Sequence, residues 1–409
     1  MHARSPLAPD RFPDLPEIPG VRLAAGRTNT RYKDRDDLML AELAPGSTIA
    51  GVFTRSLTAS PPVEWCRKHV KRGKARAIVV NAGNANTFTG RDGRNAVAAE
   101  AGAAAKLVGG TAADVFIAST GVIGVKLPVD KLIATLPGMY KQLSPGAWAQ
   151  AAAAIMTTDT FPKGATRRAE IGGVPVTING FCKGSGMIAP DMATMLCFVF
   201  TDAKLPAAVM QKLLTASADR SFNCITVDGD TSTSDTVLFA ATGQAKHKRI
   251  TAATDPALRD FRAKFDDLML DLAHQVVRDG EGAQKFVTIR VTGATSAKAA
   301  RKIGLTVGNS PLVKTAIAAA DANWGRIVAA IGRAGEKADR DKLTISIGGV
   351  RITAKGEQVP GYDETPVAKH MQGREIAIDI DVGVGRGSAT VWTCDLTHAY
   401  IDINGSYRS

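Results

Sequence analysis

Lys183-Gly-Ser-Gly-Met-Ile-Ala-Pro-Asp-Met-Ala193-Thr194-Met195-Leu196 sets a crowded, glycine-rich turn directly before an Ala-Thr bond. An apolar run, Met195-Leu-Cys-Phe-Val-Phe200, follows at once. A threonine hydroxyl is a poor nucleophile without a base beside it. Cleaving the bond before the threonine supplies one, because the freed α-amine titrates near neutrality next to its own Oγ. Glycines let the backbone bend into the strained shape that brings Oγ onto the preceding carbonyl. The sharp reading is a chain that cuts itself at Ala193-Thr194 and works with Thr194 as nucleophile. On spacing alone the bland reading wins: a glycine-rich loop feeding a buried strand.

Working outward, 409 residues allow two domains or one large one. Hydrophobic residues at 45% and charged ones at 22% fit a globular enzyme. Scarce aromatics and 40 glycines suit layers of Ala, Val, Ile and Leu joined by many turns. No apolar run reaches bilayer-spanning length, so no membrane association is expected. The Pro-rich start, Met1 to Gly20, carries Asp10, Asp14 and Glu17 and lacks the apolar core of a secretory signal. A cytoplasmic protein is the expectation. Five scattered cysteines without C-x-x-C argue against a disulfide framework. Six histidines without pairing argue against zinc, and no metal is expected.

The net charge of +12 raises nucleic-acid binding as a class. The densest basic patch, Arg67-Lys-His-Val-Lys-Arg-Gly-Lys-Ala-Arg76, has no interleaved aromatics and no recognition motif. It reads as a solvated helix face. A positive field also helps to collect small carboxylate substrates.

Apolar periodicity predicts strands over 21–26, 38–43, 47–54, 77–81, 114–118, 171–178, 195–200 and 237–241. Helices are predicted over 62–71, 93–107, 128–136, 147–156, 206–217, 256–278, 296–303 and 310–320. The last hundred residues carry β signals, including 375–382, 388–394 and 400–403. No repeat, linker or charge block marks a hinge. Strands alternate with helices while hairpin-like pairs are frequent, which favours a layered α+β or α/β sandwich over a doubly wound sheet.

Several short motifs have both a chemical and a structural reading. Ser119-Thr120-Gly121 at a strand end offers a hydroxyl and a flexible N–H for an oxyanion hole, or a plain turn. Met156-Thr-Thr-Asp-Thr160 offers hydroxyls to a substrate, or caps the next element. In Asp279-Gly-Glu281-Gly, Glu281 is a proton shuttle or amine ligand, or a solvated turn acid. Asn81-Ala-Gly-Asn-Ala-Asn86 favours turns and left-handed backbone. Asp381-Val-Gly-Val-Gly-Arg-Gly387 precedes a strand rather than a helix, so it reads as a β-hairpin turn rather than a phosphate loop. Asn323-Trp-Gly-Arg326 orders a loop near a site or braces a contact.

Taken in order, these segments resemble one family, the ornithine acetyltransferases of arginine biosynthesis, also called glutamate N-acetyltransferases. The resemblance runs from about Gly20 to the C-terminus. Its carriers include Gly51-Val-Phe-Thr54, Asn81-Ala-Gly-Asn-Ala-Asn86, Ser119-Thr-Gly-Val-Ile-Gly124, Met156-Thr-Thr-Asp-Thr160, Lys183-Gly-Ser-Gly, Met192-Ala-Thr-Met-Leu196, Asp279-Gly-Glu-Gly-Ala283, Asn323-Trp-Gly-Arg326 and Trp392-Thr-Cys-Asp-Leu396. It implies an αββα-type sandwich that resembles, without matching, the N-terminal-nucleophile hydrolases. It divides the chain into an α part, 1–193, and a β part, 194–409, cut between Ala193 and Thr194 and assembled as α2β2 or larger.

The resemblance also implies roles. Thr194 becomes the nucleophile, and Thr120 with Gly121 the oxyanion hole. Thr157, Lys183, Thr194, Glu281, Asn404 and Ser409 become the substrate-binding residues. The implied reaction moves acetyl from N-acetylornithine to glutamate and needs no cofactor. Acetyl-CoA as a further donor stays open, because some members use it and others do not. Gln284 and Ser234 depart from the family's usual residues and touch fine specificity. A self-processed amidase or aminopeptidase, using water as acceptor, is the alternative.

Overall fold

The computed structural model describes residues 3–189 and 195–405. Ala193, Thr194 and Ser409 therefore lie outside the described residues. Among the described residues the strands form three sheets. The first orders Val21–Gly26, Leu38–Leu43, Ala77–Asn84 and Val115–Val122. The second orders Thr48–Phe53, Thr236–Ala241, Leu196–Thr201, Val174–Lys183 and Lys163–Ile171.

Alternation along these strands explains why the two sheets stack. Ile78 and Val80 point one way, with Phe116 and Ala118, into a core shared with Leu196, Phe198, Phe200, Leu238 and Ala240 of the second sheet. Ala77, Val79, Val115 and Ile117 point the other way, onto Val97, Ala101, Leu132 and Leu136 of the helices Gly90–Val108 and Val129–Lys141. On the far side of the second sheet, Cys197, Val199, Val237 and Phe239 meet the helices Ala207–Arg220 and Arg259–Arg278. The order of layers is helix, sheet, sheet, helix, as the resemblance implies. Phe181 stacks on Phe200 with centroids 5.9 Å apart, and Trp148 meets Phe200 edge-on at 5.6 Å.

The third sheet orders Glu357–Gln358, Val350–Ala354, Thr344–Ile347, Glu375–Asp381, Phe286–Ala294 and Gly387–Cys394. Ala297–Gly308, Pro311–Ala318, Trp324–Gly332 and Thr365–Met371 pack on it. Phe286 and Cys394 at its edge join the core around Arg259–Arg278, which welds it to the sandwich.

Three expectations need correction. The strand expected over 171–178 is a hairpin, broken at Gly172-Gly173 with φ of 59° and 82°. Two left-handed residues between paired Ile171 and Val174 give the tight turn that strand twist favours. The 381–387 loop is not a hairpin turn, because Glu375–Asp381 and Gly387–Cys394 both pair with Phe286–Ala294, which lies between them. The loop crosses the end of that strand, where Val384 N donates to Gly293 O at 2.8 Å. The β signal over 400–403 is a helix, His398–Gly405. Its alternating Tyr-Ile-Asp-Ile composition imitates a strand, yet Asn404 Nδ2 bonds Tyr400 O one helical turn back at 3.0 Å. Asn323 caps Trp324–Gly332 by accepting from Arg326 N, and Arg326 reaches Leu312 O at 2.7 Å, so that motif braces helices.

Glu100, on the buried face of Gly90–Val108, has neither carboxylate oxygen bonded to a described residue. Burial pushes its carboxyl up to about 8 from an ordinary 4.5. The unfolded chain ionises first as pH rises, so stability is full below 4.5 and is lost progressively towards 8. Glu100→Gln should flatten that fall, with a difference of several kcal/mol as upper bound, read by thermal denaturation across the pH range. A parallel pH dependence in parent and variant would contradict it.

Candidate active site

The ends of the two stacked sheets meet at a cleft. Thr120 and Gly121 end a strand of the first sheet, and Lys183 ends a strand of the second. Thr157 and Thr158 come from the loop after the helix Trp148–Ala154. The loop before Thr236–Ala241 supplies Asp228, Asp230, Ser232, Thr233 and Ser234. Glu281 enters from the turn after Arg259–Arg278, and Tyr400 with Asn404 from the last described helix. Thus Thr120, Gly121, Thr157, Lys183, Glu281 and Asn404, scattered over nearly 300 positions of the chain, line one cleft.

The Lys183 ammonium organises its floor. Nζ donates to Thr157 Oγ1 at 2.7 Å and to Thr120 Oγ1 at 3.2 Å. An ammonium has three donors and no acceptor, so two hydrogen bonds among the described residues leave one N–H over. By accepting from Lys183, the Thr120 hydroxyl is free to present its own proton elsewhere, and polarisation makes it the better donor. Lys183 is 3% exposed. Burial pushes its ammonium below the ordinary lysine range; Asp159, Glu281 and Asp235 oppose that, while Lys163 adds to it.

Gly121 has to be glycine. Its φ is +130°, and an added Cβ would lie 2.2 Å from Gly83 C and 2.6 Å from Asn84 N. The two strands approach closely there because the parallel ladder shifts register at Gly83 and Asn84. The asparagine run holds that bulge: Asn81 Nδ2 donates to Asn84 O at 2.9 Å, and Asn84 Oδ1 accepts from Asn86 N at 2.7 Å. Asn86 adopts φ +47°, as the reading of that run expects.

On the opposite wall Glu281 Oε2 accepts from Asn404 Nδ2 at 2.7 Å, and Glu281 N donates to Ser185 O at 2.9 Å. A Cβ on Gly186 would meet the Glu281 carboxyl at 2.3 Å, so the glycine-rich 184–186 segment is shaped to this acid.

Beneath the floor lies a buried charge network. Lys163 Nζ bonds Asp159 Oδ1 and Asp279 Oδ2, each at 2.6 Å, and all three side chains are fully enclosed. Burial disfavours the Asp159 anion, but Lys163 and Lys183 outweigh it and hold its carboxyl below the ordinary range. Asp279 is raised by burial, with the Asp159 charge adding to the rise despite Lys163. Asp159 is therefore the firmer anion of the two.

The residues alone gave no role to four groups now seen at the site. Asp228 receives Ile188 N at 2.9 Å and Tyr400 OH at 3.3 Å. Asp235 accepts Met195 N at 3.1 Å through Oδ1, while its buried Oδ2 has no bond to a described residue. Burial raises Asp235 well above the ordinary carboxyl range. The signal for Asp228 was available in the polar loop, residues 228–235, that precedes the buried strand Thr236–Ala241. Asp159 and Lys163, the other two, leave no mark in periodicity.

Hydroxyls that donate, a buried ammonium and a carboxylate across the cleft are groups that acyl transfer draws on. Fold and site together fit an enzyme of acyl chemistry. The ArgJ family profile matches residues 22–409, and the chain belongs to that family. The chain is 56% identical to the arginine biosynthesis bifunctional protein ArgJ of Gluconobacter oxydans, over 99% of this chain and 95% of that one. It is thus an acetyltransferase of arginine biosynthesis. The crystal structure of ArgJ from Bacillus halodurans is 37% identical and covers 50% of this chain and 96% of its own, with a TM-score of 0.49. The ornithine acetyltransferase of Mycobacterium tuberculosis, crystallised with ornithine, is 32% identical over 42% of this chain and 92% of its own, with a TM-score of 0.37. Among the described residues no helix is long and apolar enough to cross a membrane.

Gly121→Ala should cost about 1–3 kcal/mol of stability and most of the activity, because backbone rather than a side-chain tip blocks the Cβ. Gly124→Ala, with open space around its Cβ, should lose less. Thermal denaturation and initial rates of the two variants decide; equal losses would mean that the Gly83 contact is unimportant.

Proposed function

We propose that this enzyme transfers acetyl from N2-acetylornithine to glutamate through an acetyl ester on Thr194, after cutting itself between Ala193 and Thr194. The observation that carries the reading is Lys183, which joins the Thr157 and Thr120 hydroxyls at the cleft floor and pairs with Leu196 across the sheet. Met195, which follows the proposed nucleophile in sequence, directly precedes that pairing.

In the cut, Thr194 Oγ attacks the Ala193 carbonyl and the C–N bond breaks. The hydroxyl proton ends on the freed nitrogen. Water then hydrolyses the Ala193 ester, leaving a carboxylate on Ala193 and restoring the Thr194 hydroxyl. In turnover the α-amine takes the Oγ proton while Oγ attacks the acetyl carbonyl. Thr120 Oγ–H and Gly121 N–H are the donors for the oxyanion. The C–N bond breaks, and ornithine leaves carrying the proton. The glutamate amine then attacks the acetyl ester, N-acetylglutamate departs, and Oγ regains its proton. Glu281, which accepts from Asn404, passes protons to and from the substrate amine. The spare N–H of Lys183 suits a substrate carboxylate. Ser409 and Asn404 complete the proposed binding set. Acetyl-CoA enters as a second donor, in keeping with the word bifunctional in the names of the relatives.

Intact-mass measurement of the denatured protein should give two chains divided at Ala193/Thr194. Thr194→Ala should remain one chain and lose transfer by several orders of magnitude. Rates with acetylornithine or acetyl-CoA as donor, and with glutamate or water as acceptor, separate the activities. Acetate release that ignores glutamate would replace the transferase reading with a hydrolase.

A further inference from the structure

We propose that Asp159 is a positioning residue that fuses Thr157 and Lys183 into one carboxylate-binding unit, and that Lys163 sets the electrical balance of that unit. The inference rests on the reading of Lys183 as a substrate-carboxylate ligand. Neither Asp159 nor Lys163 lines the cleft.

Both Asp159 oxygens are engaged, and each bond fixes a different part of the floor. Oδ2 accepts Thr157 N at 3.0 Å, which sets the hydroxyl that receives Lys183. Oδ1 accepts Gly184 N at 2.7 Å, which fixes the backbone just after Lys183. Oδ2 also lies 3.9 Å from Lys183 Nζ, beyond a hydrogen bond but well within charge range. One carboxylate therefore holds both ends of the Thr157–Lys183 contact. Lys163 holds Asp159 in turn, and also Asp279, which receives Thr160 N at 2.9 Å. Asp279 stands two residues before Glu281, so the same cation ties the floor to the opposite wall.

The charge arrangement makes opposite predictions for the two neighbours of Lys183. The charged groups that act on it are Asp159, Lys163, Glu281 and Asp235. Removing Asp159 takes away an anion that keeps Lys183 charged, so its ammonium titrates at lower pH. Removing Lys163 takes away a cation that discourages that charge, so it titrates at higher pH. A scaffold that merely loosened would move both variants in the same direction.

The test measures KM and kcat for glutamate against pH in the parent, Asp159→Asn and Lys163→Met, with thermal melting to confirm folding. The titration of glutamate itself is common to all three, so displacements between them report the enzyme. Asp159→Asn should raise KM roughly tenfold or more with a smaller change in kcat, since a single Asn oxygen cannot replace both acceptor positions. Its alkaline loss of glutamate binding should begin at lower pH than in the parent. Lys163→Met should begin that loss at higher pH. If one variant fails to fold, the direction of the other still decides. An alkaline limb unmoved in a folded variant, or moved the same way in both, overturns the inference. A parent that shows no acetyl transfer to glutamate would instead refute the functional reading beneath it.

Discussion

A fully enclosed lysine between two aspartates is the constraint on which this site depends. Lys163 begins a strand of the second sheet, Asp159 belongs to the loop before it, and Asp279 follows the long helix that covers the sheet. Desolvating three charges is costly, and an apolar trio of the same volume would often be as stable. What the apolar trio would lack is direction. Two carboxylates have four oxygens, and here those oxygens receive Lys163 twice, Thr157 N, Gly184 N and both the amide and the hydroxyl of Thr160. Three segments distant in sequence are thereby fixed relative to each other, and each carries a cleft residue: Thr157, Lys183 and Glu281.

The stacking of two sheets gives this network its place. Sheet faces buried on both sides need apolar residues at odd and even positions alike, which is why Ala77–Val80 and Leu196–Phe200 read as continuous apolar runs. Strand ends then become the first place where polar side chains are tolerated. Thr120, Gly121 and Lys183 all sit there. The same logic explains why 21–26 and 38–43 were legible to the residue, while 171–178 was not. A Gly-Gly turn inside an apolar stretch reverses the chain without interrupting its hydrophobicity.

The candidate site was legible only where chemistry left a local trace. Thr120-Gly121 and Glu281 stand out as polar groups beside glycines, and the close approaches at Gly121 and Gly186 give those glycines a physical reason. Asn404 entered through family resemblance, since its helix imitates a strand. Asp159 and Lys163 were invisible because their meaning lies in partners distant in sequence, Asp279 at 116 positions from Lys163 and Gly184 at 25 positions from Asp159. Asp235 was hidden for the same reason, its partner being the amide of Met195.

Sheet order bears on what a cut before residue 194 would do. Leu196–Thr201 is an internal strand, antiparallel to Val174–Lys183 on one side and parallel to Thr236–Ala241 on the other. Thr236–Ala241 in turn pairs with Thr48–Phe53. The two strands of the later part are thus enclosed between strands of the earlier part. A chain end created there could leave only by breaking ladders on both flanks and uncovering Phe198 and Phe200, which are fully buried. Met195 is held besides by Asp235 Oδ1 and by Thr236 N, which donates to its carbonyl at 3.1 Å. The topology accordingly lets a peptide bond be spent in the connection between two paired strands while the residue that begins the second one keeps its anchor beside the cleft.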